Sequence, residues 1–311
     1  MGLPARRSES LTSAGRVKDG VPLVSLCTTN YNSSPATRES LESVLSRVQG
    51  LDVEMVVVDN WSVDGSYEVL ASFGDRVDLT LVRARSSRGV GRDLAFRRAR
   101  GQYVVTFDCD TIYNDDWRRL LDWVLAERIP YGLSATFSQF YPRGVLESVG
   151  GWRDLQYWED MDLWTRLSAK GLYRAYPLVC GTNRKPVAGR DLVTRWLRVF
   201  ARSRDQVALA DWIPFRLYAR GYRVLARNEG TLRASYRFIS FLPAFAAGRR
   251  KRRQLWDQVG PSILADPSLF MDLGLVPREA LGQTITVYDS RSGCESAVAS
   301  GDIGFLPARY D

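Results

Sequence analysis

Uninterrupted apolar runs alternate with amphipathic segments in the first half of the chain, and this alternation most constrains the fold. Three runs, residues 21–32, 53–58 and 103–110, are rich in β-branched and aromatic residues and predict buried strands. Segments between them carry apolar residues at helical spacing. Strands that are apolar on both faces and separated by helices are typical of a mostly parallel sheet covered on both sides. The sequence therefore predicts an α/β fold.

Polar residues stand where these runs are predicted to end. Asn32, Asp59 and Asp108 fall at the carboxyl ends of strands, which form the edge where such sheets bind ligands. Asp108 and Asp110 are two residues apart, and in an extended chain such side chains project to the same side. A cation such as Mg²⁺ or Mn²⁺ would relieve their repulsion. The alternative is that one carboxylate caps the next helix while the other is solvated.

The chain of 311 residues contains no histidine, which excludes Ser-His-Asp triads and histidine-containing metal sites. Acid–base chemistry must therefore fall to Asp, Glu or Tyr. The four cysteines form no CxxC pair, so we expect reduced, mostly buried thiols in a cytosolic protein. No segment reaches the roughly 18 apolar residues of a membrane span, and the amino terminus lacks the apolar core of a signal peptide. These features predict a cytoplasmic location.

Five motifs, in order, resemble the inverting glycosyltransferases of family 2. They are VSLCTTNYN (24–32), VEMVVVDNWSVDGS (53–66), RGVGRDLAFRRARGQYVVTFDCDT (88–111), YPRGVLESVGGW (141–152) and YWEDMDLWTRLSAKGLYR (157–174). The resemblance implies a GT-A type, Rossmann-like, mostly parallel sheet flanked by helices, with a basic helical C-terminal extension. It also implies that a sugar is transferred from a nucleoside-diphosphate-sugar to a hydroxyl of a glycan or a lipid-linked acceptor.

The resemblance assigns nucleotide contacts to three parts of the chain. Asn30 and Tyr31 match the segment that lies against the base, where an aromatic ring can stack on the heterocycle. Asp59 matches a carboxylate that accepts a hydrogen bond from the base or ribose, with helix N-capping as the alternative. Arg92 and Asp93 match loop residues that close over the nucleotide. For Arg92, a solvated position in the first turn of a helix is the alternative.

Asp108 and Asp110 match the metal-binding acidic pair of the family. The resemblance implies that Asp110 coordinates Mg²⁺ or Mn²⁺, that Asp108 touches the ribose or the metal, and that the cation neutralises the departing diphosphate. The chain departs from the family at three places: Asn60-Trp61 follows Asp59 where Asp-Gly is usual, Cys109 divides the acidic pair with its side chain pointing away, and no histidine supplies a further metal ligand. Water or an acid would complete the coordination.

Glu159 and Asp160 match the acidic doublet that follows a two-glycine turn in the family. Asp160 aligns with the base that deprotonates the acceptor hydroxyl, and apolar neighbours such as Trp158 would strengthen it by desolvation. Stabilisation of a helix amino end is the alternative for the doublet, and Asp162 is a less favoured substitute base. Trp152 would form a floor under the sugar or acceptor, with core packing as the alternative.

The chain is predicted to divide into a flexible tail (1–20), a nucleotide-sugar transferase domain (21–187), a basic amphipathic helical region (188–260) and a C-terminal extension (261–311). The net charge is +8, and region 188–260 interleaves Arg with large apolar residues. Such helices favour an anionic membrane surface at the cytoplasmic face, while a solvated basic face is the alternative. Nucleic-acid binding has no supporting motif. Two rival functions remain: a nucleotide-sugar-binding protein without catalysis, and a peripheral membrane or nucleic-acid-binding adaptor on the same scaffold.

Overall fold

The computed structural model describes residues 9–12, 20–168, 170–184, 192–209, 231–232, 235, 239, 243–251, 284–289 and 294–299. The strands are β1 (Glu9–Thr12), β2 (Val24–Asn30), β3 (Val53–Asp59), β4 (Asp78–Arg83), β5 (Tyr103–Thr106), β6 (Thr111–Tyr113), β7 (Gly132–Thr136), β8 (Ser138–Pro142), β9 (Tyr173–Val179), β10 (Gly181–Asn183), β11 (Thr284–Asp289) and β12 (Cys294–Ala299). The helices are α1 (Ala36–Arg47), α2 (Ser66–Ala71), α3 (Arg88–Arg98), α4 (Asp115–Glu127), α5 (Arg143–Glu147), α6 (Glu159–Ser168) and α7 (Leu192–Leu209). Residues 243–251 are also helical.

The described strands form one eight-stranded sheet in the order β1-β4-β3-β2-β5-β8-β7-β9 and two small pairs, β6 with β10 and β11 with β12. Strands β4, β3, β2 and β5 are parallel, whereas β8 runs antiparallel to both β5 and β7. Strand β1 pairs antiparallel with β4 at the edge of the sheet. The predicted α/β class is therefore confirmed, but residues 9–12 are an edge strand and not part of a flexible tail.

Both faces of the sheet are buried under helices. On β3, Met55 and Val57 belong to a core formed with α1, α2 and α4, whereas Val56 and Val58 belong to a second core formed with α3, α5 and α6. Because successive side chains of a strand point to opposite faces, a strand buried on both faces has to be apolar throughout. This explains the unbroken apolar runs in the sequence. Within the described residues, no helix combines the length and hydropathy needed to cross a bilayer.

The chain leaves the extended conformation sooner after β5 than the sequence predicts. Strand β5 ends at Thr106, and residues 107–110 form a loop and a turn in which the amide of Thr111 donates to the carbonyl of Asp108 at 3.3 Å. The hydroxyl of Tyr113 accepts from the Asp108 amide at 2.8 Å and fixes the turn against the core. The prediction that Asp108 and Asp110 sit on one extended strand is therefore wrong, and a turn presents both carboxylates.

Candidate active site

Helix α3 begins at Arg88, four residues before Arg92. Its N-cap is Ser87, whose hydroxyl accepts from the Val90 amide at 3.3 Å. Arg92 consequently lies in the second turn of the helix, with only 11% of its side chain exposed. The expected placement of Arg92 and Asp93 in a loop is wrong, because the serine cap starts the helix ahead of both residues.

The guanidinium of Arg92 joins the acidic turn after β5 to the acidic doublet at the start of α6. It hydrogen-bonds directly to Oδ1 of Asp160. Its nitrogens also lie 3.6 Å from Oε1 of Glu159 and 3.8 Å from Oδ1 of Asp108. One cation is thus shared by three carboxylates, of which Asp108 is distant in sequence from Glu159 and Asp160. The structure brings together the acids that the sequence assigns to one site.

The two acids of the doublet have different surroundings. Glu159 is buried, and its other cationic neighbour is Arg88 at 3.6 Å. Burial raises the pKa of Glu159, and Asp160 adds to the increase, while Arg88 and Arg92 oppose it. Asp160 keeps 19% of its side chain exposed. The more accessible acid is therefore the one that the sequence assigns as the base.

Trp152 positions Asp160. Its indole N–H donates to Oδ1 of Asp160 at 3.0 Å, while its ring packs edge-on against Tyr141 and Phe96. Trp152 is buried in the core, so it cannot form the expected open floor under a sugar. The expected apolar setting for Asp160 is also not found, because a guanidinium and an indole N–H both contact its carboxylate.

Asp162 has a structural role. Its carboxylate is buried and accepts from Arg153 at 3.1 Å and from Nε of Arg166 at 3.0 Å. Arg166 in turn donates to the carbonyls of Val149 and Gly151, at 2.6 and 2.8 Å. These contacts fix α6 against the two-glycine turn, and they leave Asp162 facing away from solvent. It does not serve as the substitute base.

Asp108 and Asp110 are both partly exposed on the turn after β5. Asp108 has 37% of its side chain exposed, and Asp110 accepts from the amide side chain of Asn183 at 3.0 Å. Cys109, between them, is buried with its sulfur 3.8 Å from the Thr28 hydroxyl, as expected. Among the described residues, no group of three or more His, Cys, Asp or Glu side chains could hold a metal ion. Two partly exposed carboxylates are the kind of oxygen ligand that Mg²⁺ or Mn²⁺ prefers.

Asn30 and Asp59 point into the protein and do not face a ligand. The Asn30 amide donates to Asp59 at 2.8 Å and to the hydroxyls of Ser62 and Ser66 at 3.0 Å each. Asp59 also accepts from the Ser62 amide at 3.1 Å and from Nε of Arg83 at 3.3 Å. Direct contact of these two side chains with a base or ribose is therefore contradicted. Asp59 is not a helix cap either, since the N-cap of α2 is Gly65.

Exposed aromatic side chains follow the ends of β2 and β3. Tyr31 is 63% exposed and Trp61 is 41% exposed. The guanidinium of Arg83 lies 5.0 Å from the ring centre of Trp61 and 3.9 Å from that of Tyr67. Sequence reasoning noted Trp61 only as a departure from the usual motif, and it missed Arg83 and Tyr67. The signal was the aromatic residue at a position that usually holds glycine.

Asp93 does not contribute to the same surface as Arg92. Its Oδ2 accepts from Nε of Arg97 at 2.6 Å. Its Oδ1 lies so close to Gly151 that a Cβ there would overlap it. Asp93 thus packs between α3 and the two-glycine turn, and the expectation that it closes over a nucleotide is contradicted.

Part of the sheet lies in a stretch of sequence that matches a known protein family. Residues 25–133 match the model of the family described as glycosyl transferase family 2. The putative teichuronic acid biosynthesis glycosyltransferase TuaG of Bacillus subtilis (strain 168) is 32% identical over 101 residues, which are 32% of this chain and 38% of the relative. The succinoglycan biosynthesis protein ExoO of Rhizobium meliloti (strain 1021) is 33% identical over 106 residues, which are 33% of this chain and 30% of the relative. The matches thus span about a third of each relative's length.

Among solved structures, a mannosyltransferase of Pyrobaculum calidifontis, PcManGT, in complex with GDP-Man and Mn²⁺, is similar at a TM-score of 0.49 and 19% identity, over 77% of this chain and 76% of that chain. Residues 25–133 match the family 2 glycosyltransferase model, and this match confirms the resemblance indicated by the sequence motifs. This matched range includes Arg92, Asp108 and Asp110 but ends before Glu159 and Asp160.

Proposed function

We propose that the protein is an inverting glycosyltransferase that moves a sugar from a nucleoside-diphosphate-sugar to an acceptor hydroxyl. The observation that carries this proposal is the shared contact of Arg92 with Asp108 and Asp160. Asp108 belongs to the edge of the sheet where ligands of α/β proteins bind. Asp160 lies at the start of a helix on the adjoining face. The guanidinium of Arg92 therefore holds Asp108, which would bind the sugar donor, close to Asp160, which can accept a proton.

Asp108 and Asp110 would hold Mg²⁺ or Mn²⁺, and the bound cation would supply charge neutralisation for the departing diphosphate. Tyr31 and Trp61 are exposed at the same edge of the sheet. Either ring can stack on a nucleotide base, and such stacking contributes about 1–3 kcal/mol per base. The donor would therefore lie along the carboxyl ends of β2, β3 and β5.

Asp160 would act as the general base. Both of its hydrogen bonds within the described part of the chain, from Arg92 and Trp152, go to Oδ1. Oδ2 is left to accept the proton of the acceptor hydroxyl. The acceptor oxygen then bonds to the anomeric carbon as the bond to the diphosphate oxygen breaks, and the leaving group takes the electron pair. Attack opposite to the leaving group inverts the anomeric centre.

The test separates donor binding from transfer. A panel of UDP-, GDP- and dTDP-sugars is screened by thermal shift with and without Mn²⁺, because a ligand that binds only the folded state raises Tm. Asp160→Asn should keep the donor-induced shift while the transfer rate falls by about 10²–10⁴-fold. Asp122→Asn is the matched control, since Asp122 is an exposed carboxylate on α4 paired with Arg118.

Three outcomes would contradict parts of the proposal. If no donor raises Tm in the presence of Mn²⁺, the nucleotide-sugar site is wrong. If the wild-type protein binds a donor, yet neither transfers nor hydrolyses it, the rival non-catalytic binding protein is favoured. Equal transfer by Asp160→Asn and wild type would show that another group is the base.

A peripheral membrane location has one specific observation in its favour. On α7, Val193 and Leu197 are exposed one turn apart, and Arg198 and Arg202 are exposed on the same helix. Apolar side chains flanked by guanidinium groups suit the interface of an anionic bilayer. Flotation with phosphatidylglycerol and phosphatidylcholine vesicles tests this location. The location is supported if the protein binds only the anionic vesicles and the double variant Val193→Gln/Leu197→Gln does not bind them. If the wild-type protein binds neither type of vesicle, α7 is a solvated helix.

A further inference from the structure

Asp205 is a buried carboxylate in a basic helix. It is the single acidic residue in the α7 sequence LVTRWLRVFARSRDQVAL, and it has no exposed surface. A buried carboxylate is costly unless cations and hydrogen-bond donors surround it. The donors that surround Asp205 come from three separate parts of the chain.

The contacts of Asp205 divide between its two oxygens. Oδ2 accepts from the backbone amides of Gln156 at 2.7 Å and Tyr157 at 3.1 Å. Oδ1 accepts from Nε of Arg204 at 2.8 Å and from Nζ of Lys251 at 3.1 Å. Asp205 therefore ties α7 and the helical residues 243–251 to the segment that precedes the acidic doublet. Residues 153–158 are called the approach segment below.

The approach segment is held on its other side by the first turn of α3. The Gly89 amide donates to the Leu155 carbonyl at 2.8 Å, and the Arg88 amide donates to Oε1 of Gln156 at 3.2 Å. Trp158 lies under the guanidinium of Arg202, 4.8 Å from its ring centre. The segment is thus clamped between α3 and α7, and α6 begins at its end.

We propose that Asp205 is a positioning residue for the transfer reaction: by fixing the approach segment, it sets where α6 begins and so where Asp160 meets the acceptor. This inference rests on the proposed function. Hydrogen bonds to a charged acceptor are shorter and stronger than neutral ones, so they suit a segment that has to hold a catalytic group in place. Small displacements of such a group lower the rate steeply.

Asp205→Asn tests the role with little change in side-chain size. The amide cannot balance Arg204 and Lys251, so the bonds to Gln156 and Tyr157 weaken. We expect kcat to fall by about 10- to 100-fold, with the donor KM within about twofold because Asp205 touches no group assigned to the donor. Lys251→Gln, which removes one cation but leaves Asp205, should lower kcat in the same direction by less.

Glu54→Gln is the matched control. Glu54 is buried, accepts from the Gly101 amide at 3.1 Å and from Nε of Arg100 at 2.9 Å, and lies near the amino end of β3, away from the acids. Glu54→Gln therefore changes the same kind of group, a carboxylate that binds a backbone amide and a cation, at a place remote from the candidate site. We expect a lowered Tm with unchanged kcat. A parallel loss of kcat in both variants would show that Asp205 contributes only stability, and would overturn the proposal.

Two further measurements keep the outcome decisive. If Asp205 acts through Asp160, adding Asp205→Asn to Asp160→Asn should cause no further loss of residual transfer, whereas multiplicative losses would overturn the proposal. Hydrogen exchange of the Gln156 and Tyr157 amides should accelerate in Asp205→Asn and not in Glu54→Gln; unchanged exchange would overturn it. The exchange measurement needs no substrate, so it tests the role of Asp205 even if the proposed function is wrong. An absence of transfer by the wild-type protein would reveal that separate failure.

Discussion

Arg92 carries the positive charge on which the arrangement of the candidate site depends. Burial opposes a charge on its guanidinium, but Asp160, Glu159 and Asp108 outweigh that effect and raise the pKa of Arg92. The guanidinium is planar and presents several donors in fixed directions, so it can contact three carboxylates at once. An ammonium group is a compact point charge and cannot replace all of these contacts.

Arg92→Ala should therefore unfold more easily than the wild type and lose transfer. Removing one partner of a buried ion pair leaves uncompensated charge and costs about 3–5 kcal/mol in the free energy of unfolding. Arg92→Lys should lose less stability but still transfer at least about tenfold more slowly. Urea denaturation and initial rates measure both effects. Arg119→Ala on α4, an exposed pair with Asp116, is the control and should change stability by less than about 1 kcal/mol. Equal stability of Arg92→Ala and wild type would contradict the cluster.

Glu159 makes the stability of the protein depend on pH. Burial raises its pKa above the usual 4.5, so above about pH 4.5 the folded state binds more protons at this residue than the unfolded state. The free energy of unfolding contributed by Glu159 is then fully present below that pH and is lost as pH rises through the raised pKa, by about 1.4 kcal/mol per unit of pKa difference. Glu159→Gln cannot titrate.

The stability of wild type relative to Glu159→Gln should thus decline as pH rises above 4.5 and through the raised pKa of Glu159, measured by urea denaturation at each pH. A difference that rises with pH would mean that the cations Arg88 and Arg92 outweigh burial at this residue.

At this scale the sequence predicts which residues gather but not which way they face. Asp108, Arg92 and Asp160 meet as expected. Asn30 and Asp59 occupy the expected strand ends but turn inward, because Ser62, Ser66 and Arg83 provide partners for them. An apolar run followed by Asn or Asp does not indicate whether side chains from later in the sequence will form hydrogen bonds with that residue inside the protein.

At the scale of elements, long periodic segments were predictable and short ones were not. The apolar runs 21–32 and 53–58 predict β2 (Val24–Asn30) and β3 (Val53–Asp59), although the first run extends beyond β2 at both ends. Strands β7 and β8 are separate antiparallel strands that meet at Phe137, which has a positive φ of 68°. A reversal that uses no glycine or proline leaves no signal in the sequence.

The contact of α3 with the approach segment depends on a glycine. A Cβ at Gly89 would overlap the carbonyl oxygen of Arg153 and lie 3.1 Å from the Leu155 amide nitrogen, and both are backbone atoms that cannot move aside alone. Gly89→Ala should therefore shift the approach segment, lower Tm and slow transfer. Gly144→Ala on α5 is the control, because nothing lies within 4 Å of its Cβ position, and alanine there should be neutral or stabilise by up to about 1 kcal/mol.

Differential scanning fluorimetry and initial rates compare the two alanine variants. Equal Tm and rate in both would show that the backbone of the approach segment can move away from α3 without consequence.

At the scale of the whole molecule, the approach segment and the described helices of the basic C-terminal region meet at Asp205, which sequence reasoning missed. A lone acid among arginines matches no motif, and its importance depends on Lys251 and on Gln156, each about 50 residues distant in the chain, folding against α7. Such long-range partners follow from tertiary packing alone. A lone carboxylate in a basic amphipathic helix was nevertheless a usable signal, because it needs cationic neighbours wherever it is buried.

Three thiols report whether the sheet and its two cores unfold together. Cys27 lies in the core under α3, whereas Cys109 and Cys180 lie in the core under α4, and all three are free and buried. Burial raises the pKa of each thiol, to about 12 for Cys180, so neither access nor thiolate is available for reaction in the folded state. We expect Ellman's reagent at pH 8 to label these three positions only through unfolding.

If the two cores form one cooperative unit, peptide mapping in dilute urea should give Cys27, Cys109 and Cys180 a common labelling rate that follows global unfolding. Faster labelling of Cys109 alone would contradict this expectation, because it would show that the acidic turn opens while the sheet remains folded. A turn that opened in this way would release Asp108 and Asp110 from Tyr113 and Asn183, the contacts that hold the two carboxylates at the edge of the sheet.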